Sequence, residues 1–372
     1  MGSAPAVKEF DIECFFASEV RAFTDALASL ERRIPASKEP EADEFLAEMT
    51  AAIHGSRDAC EAAEMAIGPD AALLLEAQKR FREQIGPWFD RSWFMQRAKA
   101  KPRGYPGDFE MLTAIYDGQP KATGFGGYLD LYFLGTDLAR AVCSRLDSIQ
   151  KFLVREVLQR TTRVSVLNVA SGPGREYSHG FEPPETMQLT CVDTDEQALA
   201  YLRSHVDPQA SDALDLNCVC YNALKMTSSK TNIARFGQPD MIYSVGLCDY
   251  IPDRYLIRIL NGWRESVGED GIVYVAFKDA PRYHAAEYQW HVDWHFYQRT
   301  ETDCRKLFAE AGYDVDSMEM FRDSTGIIMN FVARQNAIQN RRFDAAERLR
   351  GPHVRMQPQA AVLEPDVEPS EL

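Results

Sequence analysis

Arg163-Val-Ser-Val-Leu-Asn-Val-Ala-Ser-Gly-Pro-Gly-Arg-Glu-Tyr177 is an apolar run that enters a tight turn of two glycines around a proline. Val164, Val166, Leu167 and Val169 lack strict alternation, as expected of a parallel strand covered on both faces. Gly172 and Gly174 permit a sharp turn and a close approach of backbone to a ligand, and a helix opening after them would present free N–H groups. Such a turn fits a dinucleotide, a nucleoside or simply a tight strand-to-helix connection. The rest of the chain separates these readings.

Downstream, strands are predicted near 188–193, 216–221, 239–245, 271–277, 314–320 and 326–333, with helices near 195–204, 253–266 and 301–312. The alternation predicts an α/β fold: a doubly wound, mostly parallel seven-stranded sheet whose ligand sits beyond the carboxyl ends of the strands. Two closing strands without a helix between them predict an antiparallel hairpin at the edge. Upstream, a long amphipathic helix from about 137 to 160 leads into the first strand. Before it, residues 10–98 carry apolar positions at three- and four-residue spacing (Phe45, Met49, Ile53; Leu73, Leu74, Ala77, Phe81), the signature of an all-α segment. Between them, Lys101-Pro-Arg-Gly-Tyr-Pro-Gly-Asp-Phe-Glu-Met111, Tyr116–Pro120 and Gly124-Phe-Gly-Gly-Tyr128 read as loops folded over something, because they are dense in glycine, proline and aromatics. Most of these aromatics are assigned to core packing, and Tyr105 and Asp108 to a pocket. The expected organisation is a helical cap over 8–136, an α/β domain over 137–334, and a polar tail over 335–372 that begins helical and ends disordered.

The chain has 372 residues, 45% hydrophobic and 11% aromatic, and a formal net charge of −15. That charge argues against nucleic-acid and anionic-membrane partners, which need clustered Lys and Arg, and favours a small-molecule substrate. No run approaches the roughly 20 apolar residues of a membrane span, and the N-terminus has no basic stretch followed by an apolar core. The 8 cysteines are scattered, so a reducing cytoplasm is expected. The oligomeric state is not legible.

The strand tips carry the chemistry. Asp193 ends the second strand about twenty residues past the glycine turn, the position of an acid that grips ribose hydroxyls. Asp195 better suits a helix N-cap. Asn222, at the end of the third strand, offers both donor and acceptor to an adenine edge. The fourth strand ends in a small-residue loop with Asp249 and Tyr250. The resulting cofactor-binding set is Ala170, Ser171, Gly172, Gly174, Asp193, Thr194, Asn222, Ala223, Ser244, Gly246 and Asp249. Four tips converge on one nucleoside.

From about 140 to 334 the chain resembles the class I S-adenosylmethionine-dependent methyltransferases. A nicotinamide-binding domain would favour a third glycine where Tyr177 stands, and no closing hairpin. More narrowly, Lys101–Met111, Ala170-Ser-Gly-Pro-Gly-Arg-Glu176 and Tyr243-Ser-Val-Gly-Leu-Cys-Asp-Tyr-Ile-Pro-Asp253 resemble a bacterial subgroup associated with 3-hydroxypalmitate methyl ester synthesis, and with it the azetidine-2-carboxylate synthases. The resemblance implies S-adenosylmethionine as cofactor or substrate, no metal, and a role in secondary-metabolite biosynthesis. Two departures concern the acceptor side: Ala276-Phe-Lys278 where a small residue, Asn and Phe are expected, and Asp293-Trp-His-Phe-Tyr-Gln-Arg-Thr300 where a more aliphatic run is usual.

Methyl transfer to a carboxylate needs an apolar tunnel but hardly a base, because carboxylates are ionised at pH 7. Cyclisation needs a folded ligand, a neutral amine and exclusion of water. Aromatic rings around the sulfonium would each contribute on the order of 0.5–2 kcal/mol. The reading adopted from the sequence is cyclisation to azetidine-2-carboxylate with release of 5′-methylthioadenosine, served by Tyr177, Tyr105, Asp108, Tyr250 and Asn222. The alternative is O-methylation of a small or fatty 3-hydroxy acid, and a third reading is a nucleoside-binding module without turnover. His291 and His295, placed on one helix face, invite a metal, yet with Asp293 and Glu287 they complete no metal motif, and packing is the better reading for them as for His179, His205 and His284. Ser171 lacks the partners of a hydrolase nucleophile.

Overall fold

The computed structural model describes residues 10–160, 163–177, 187–206 and 214–335. The expected C-terminal tail and His179 lie outside them. A short turn α1 (Ile12–Phe15) runs through a π-helical turn into α2 (Arg21–Arg33), followed by α3 (Glu44–Ile67), α4 (Ala71–Phe89), α5 (Trp93–Ala100), α6 (Phe109–Asp117), α7 (Gly124–Leu134) and α8 (Asp137–Leu158). Pro87 lies within α4, which runs on to Phe89. Strands β1 (Val164–Val169), β2 (Met187–Asp193), β3 (Leu214–Cys220), β4 (Met241–Val245) and β5 (Ile272–Lys278) then alternate with α9 (Glu196–Val206), α10 (Ser229–Phe236) and α11 (Asp253–Arg264). After β5 come α12 (Ala285–Val292), α13 (Glu301–Glu310), β6 (Glu319–Arg322) and β7 (Ile328–Arg334).

The strands form one sheet in the order β3-β2-β1-β4-β5-β7-β6, with β7 antiparallel to both β5 and β6. This is the class I methyltransferase fold. The order in which strands are added reverses between the parallel neighbours β1 and β4, so the crevice of the sheet opens at their carboxyl ends. β1 and β5 are buried almost throughout, hence their continuous apolar runs. The sixth strand begins at Glu319 rather than near 314, and α10 is an element the spacing did not predict. Directly after the glycine turn there is a 3-10 turn, Arg175–Tyr177.

The helical cap and the sheet share one apolar core, in which Phe81, Phe94 and Tyr128 belong with Val164, Met241 and Tyr274. Residues 124–128, read as a loop, form the first turn of α7. Their glycines serve close packing: a Cβ on Gly126 would lie 2.3 Å from the Arg91 carbonyl oxygen, and one on Gly127 2.4 Å from that of Ala122. Buried Asp130 on the same helix ties these loops down, accepting from Ser92 Oγ at 2.6 Å and from the backbone of Lys121 and Ala122 at 2.8 and 3.0 Å. Gly126→Ala is therefore expected to reverse the ordinary helix preference, which favours Ala by about 1 kcal/mol. It should destabilise the protein by about 1–3 kcal/mol through overpacking, read as a lowered midpoint in urea; unchanged or raised stability would contradict this contact.

α12 pins the cap to the sheet domain, and His291 is its centre. The imidazole stacks on Phe89, meets Phe81 and Phe23 edge-on, donates from Nδ1 to the Glu287 carbonyl at 2.8 Å and accepts at Nε2 from Ser56 Oγ at 3.3 Å. α12 ends at Val292 with Asp293 in the left-handed region, so His295 lies outside the helix and shares no face with His291. Burial pushes the His291 pKa from 6.5 to about 4. The unfolded chain takes up the proton first, so this contribution to stability is complete above pH 6.5 and is lost as the pH falls toward 4. Between pH 7 and pH 5 the protein should lose about 2 kcal/mol more unfolding free energy than a His291→Gln variant, measured by urea titration at both pH values.

Candidate functional site

A cavity of about 570 Å³ opens at the carboxyl ends of β1 to β5. Its floor begins at the turn after β1. Ala170 holds a positive φ of 58°, a conformation that costs a non-glycine residue about 1–3 kcal/mol and marks functional turns. The strain is held by two bonds: Ser171 N–H donates to the Val192 carbonyl at 3.1 Å, and Gly172 N–H donates to Asp193 Oδ2 at 2.9 Å. Ala170, Gly172, Asp193 and Thr194 therefore reach the cavity as one rigid edge. The other Asp193 oxygen accepts from Asp195 N–H at 3.0 Å, and burial raises its pKa. Asp193 is thus both a candidate ribose ligand and the clasp that joins two strand tips.

Asn222, Ala223, Gly246 and Tyr250 also line the cavity. Asn222 is exposed, and its side-chain carbonyl already accepts from Leu224 N–H at 2.9 Å, which leaves its amide N–H₂ group facing a ligand. Asp195 accepts from Gln197 N–H at 2.9 Å, the N-terminal bond of α9 that its sequence position suggested.

Six expected residues lie outside the lining. Tyr177 points down into the core, 3% exposed, where its hydroxyl meets that of Tyr243. Tyr243 in turn donates to Glu176 at 2.7 Å, and Asn168 donates to the same carboxylate at 3.0 Å. Residues 175–177 form a 3-10 turn, and the Tyr177 ring packs in the core that the cap and the sheet share, outside the cavity lining. Asp108 is fully buried, caps α6 through Met111 N–H and pairs with Arg97 at 2.7 Å. Gly174 abuts α9, where a Cβ would lie 2.6 Å from Leu202 Cδ1. Ser171 is buried, Ser244 donates to the Val169 carbonyl at 2.8 Å, and Asp249 pairs with Lys278.

The far end of the cavity is aromatic. The strap 101–107 contributes Tyr105, half-buried, whose hydroxyl is pushed up in pKa first by burial and then by Asp193 and Asp195. Tyr250 accepts from Trp294 Nε1 at 2.7 Å, and its ring lies 5.2 Å from that of Phe296. Gly107 lets the strap settle here: a Cβ would lie 3.1 Å from both Tyr250 and Trp294. Charged pairs latch the strap, Lys101 to Asp293 and Arg103 to Asp195 at 2.8 Å. Trp294 and Phe296 come from the run the sequence singled out only as a departure from type.

Two cations were missed as a pair. Lys278, at the tip of β5, sits 6% exposed, bonded to Asp249 at 2.7 Å and 4.0 Å above the Phe296 ring, with burial lowering its pKa. Arg145 occupies a position on the apolar stripe of α8, and a charge on such a stripe was the available signal. Among the described residues no cluster of His, Cys, Asp and Glu has the geometry of a metal site, and no helix is long and apolar enough to cross a membrane.

No family model matches the sequence, and no curated protein does. Among solved structures, a possible exported protein from Bordetella parapertussis matches 90% of this chain and 99% of its own at 14% identity, with a TM-score of 0.50. Magnesium protoporphyrin IX methyltransferase from Synechocystis PCC 6803, with bound SAM, matches 54% of this chain and 82% of its own at 12% identity and a TM-score of 0.39. The N-methyltransferase NodS from Bradyrhizobium japonicum WM9, in complex with S-adenosylhomocysteine, matches 50% and 86% at 10% identity and 0.36. At 14% identity the likeness to the Bordetella parapertussis protein is one of fold.

The Lys278–Asp249 pair is buried on both sides. Lys278→Met alone strands a carboxylate and should cost about 3–5 kcal/mol, whereas Lys278→Met with Asp249→Leu should recover most of that loss. Thermal unfolding of the two variants checks this, and equal losses would contradict the pairing.

Proposed function

We propose that this chain binds S-adenosylmethionine at its strand tips and transfers the methyl group to the carboxylate of a small or fatty 3-hydroxy acid. The observation that carries the reading is a single cavity with two unlike ends: a polar edge at Asp193 and Asn222 suited to a nucleoside, and an aromatic chamber beyond Gly246 with room for a second substrate. The donor supplies an electrophilic methyl on a sulfonium; a carboxylate oxygen bonds to that carbon as the carbon–sulfur bond breaks, and the bonding pair remains on sulfur. No proton moves.

The chain's own part is binding, orientation and exclusion of water. Asp193 and the Asn222 amide would fix the nucleoside, while the backbone at Gly172 approaches it closely. In this reaction a cation and an anion combine to give two neutral products, so a dry apolar chamber lowers the barrier by withholding water from the reactants. Leu138, Val142, Phe133, Tyr288 and Phe296 supply such walls. Tyr105, Tyr250 and Trp294 would hold the sulfonium by their faces.

The second reading, ring closure to azetidine-2-carboxylate, draws support from the same rings. There the positive charge passes from sulfur to the ring nitrogen and is conserved, so an aromatic cage would favour it. It no longer draws on Tyr177, which lies outside the lining. Incubation with S-adenosylmethionine alone, and again with a 3-hydroxy fatty acid, separates the two by mass spectrometry. S-adenosylhomocysteine that forms only with the acid supports methyl transfer; 5′-methylthioadenosine from the first incubation shifts the assignment to cyclisation. A ligand intact in both overturns turnover altogether.

A further inference from the structure

Three Lys and Arg side chains line the cavity: Lys101, Arg145 and Lys278. Lys101 is neutralised by Asp293 and Lys278 by Asp249. Arg145 is the exception. It is 4% exposed, its Nε has no hydrogen-bond partner, and no ion pair among the described residues includes it. Around it lie the hydroxyl of Tyr116 and the backbone at Gly246, where a Cβ would come within 2.5 Å of Nη1; the buried Glu176 carboxyl acts on it through space but forms no ion pair with it, being held instead by Tyr243 and Asn168.

A guanidinium held out of water with no carboxylate in contact is costly, and a ligand that supplies one would offset that cost. Its planar fork matches a carboxylate, with two parallel N–H donors for two oxygens. The location narrows the ligand further. Arg145, on α8, abuts Gly246 after β4, which in the sheet order lies two strands from the tip that carries Asp193 and three from that of Asn222, away from the nucleoside end. Gly246 leaves that side of the guanidinium uncovered, since any side chain there would overlap it.

We infer that Arg145 is the carboxylate-binding residue of this cavity, an inference that rests on the nucleoside reading above. Two carboxylates qualify: that of the amino-acid end of S-adenosylmethionine and that of the acid acceptor. Both are recognised by the same chemistry.

Calorimetry on the full chain tests it with three probes: S-adenosylhomocysteine, 5′-methylthioadenosine, which keeps the nucleoside and sulfur but has no carboxylate, and 3-hydroxydecanoate added to protein loaded with S-adenosylhomocysteine. If the amino-acid carboxylate is held, Arg145→Gln weakens S-adenosylhomocysteine roughly ten- to hundredfold and leaves methylthioadenosine unchanged. If the acceptor is held, both nucleosides bind Arg145→Gln as they bind the wild type, and the acid loses a similar factor. Arg145→Lys, which keeps the charge without the fork, should fall between the two. The inference is overturned if Arg145→Gln binds all three probes as the wild type does, or if both nucleosides weaken equally, the mark of a purely structural role. Wild-type protein that binds neither nucleoside instead overturns the nucleoside reading, and this inference with it.

Discussion

The site depends on one short piece of backbone held against its own preference. Ala170, Gly172 and Gly174 all have positive φ, and a non-glycine residue resists that conformation. Asp193 restrains it by accepting from Gly172 N–H and from the turn that opens α9. One carboxylate therefore fixes the distance between the tips of β1 and β2. The remaining tips are set by their own ladders in the same sheet, so the clasp adds a fixed turn to an edge already in register.

Over the crevice the helical cap supplies what a sheet cannot. A parallel sheet ends in loops open to water, and the proposed reaction of a sulfonium needs water kept out. The strap 101–107 closes one side, with Tyr105 among the lining residues and charged pairs from Lys101 and Arg103 tying down its first half. α12 and the run after it close another, anchored through His291 to the aromatic centre of the cap. The two walls meet where Tyr250, Trp294 and Gly107 touch. The inner end of the cavity thereby becomes aromatic and positively charged, while its outer edge stays polar.

Legibility in the sequence followed the range of the interactions. β1, β5 and the long helix α8 announce themselves because burial on both faces, or on one stripe, imposes a period. Asp193, Asn222 and Gly246 were recognisable by their place at strand ends, since the fold brings strand ends together wherever it occurs. Gly124–Tyr128 was misread as a loop because three glycines in five residues oppose a helix locally; contacts with Arg91 and Ala122, more than thirty and only a few residues away, override that preference. Tyr177 was misplaced for a related reason. A helix after the glycine turn would carry it toward a ligand, whereas the observed 3-10 turn leaves it in the shared core against Tyr243, a contact 66 residues away along the chain.

By itself the sequence determined the sheet, the glycine turn and the set of tips that face one ligand, because hydrophobic period and turn chemistry are written locally. The tertiary structure decided which polar side chains are spent on the fold and which remain for a ligand. Asp108, Asp249 and Lys278 are charged groups whose partners lie 11 to 29 residues away along the chain and which neutralise one another or their neighbours once packed. Arg145 looks from the sequence like one more cation on a helix. Only folding buries it beside Gly246, where among the described residues it has no ion-pair partner.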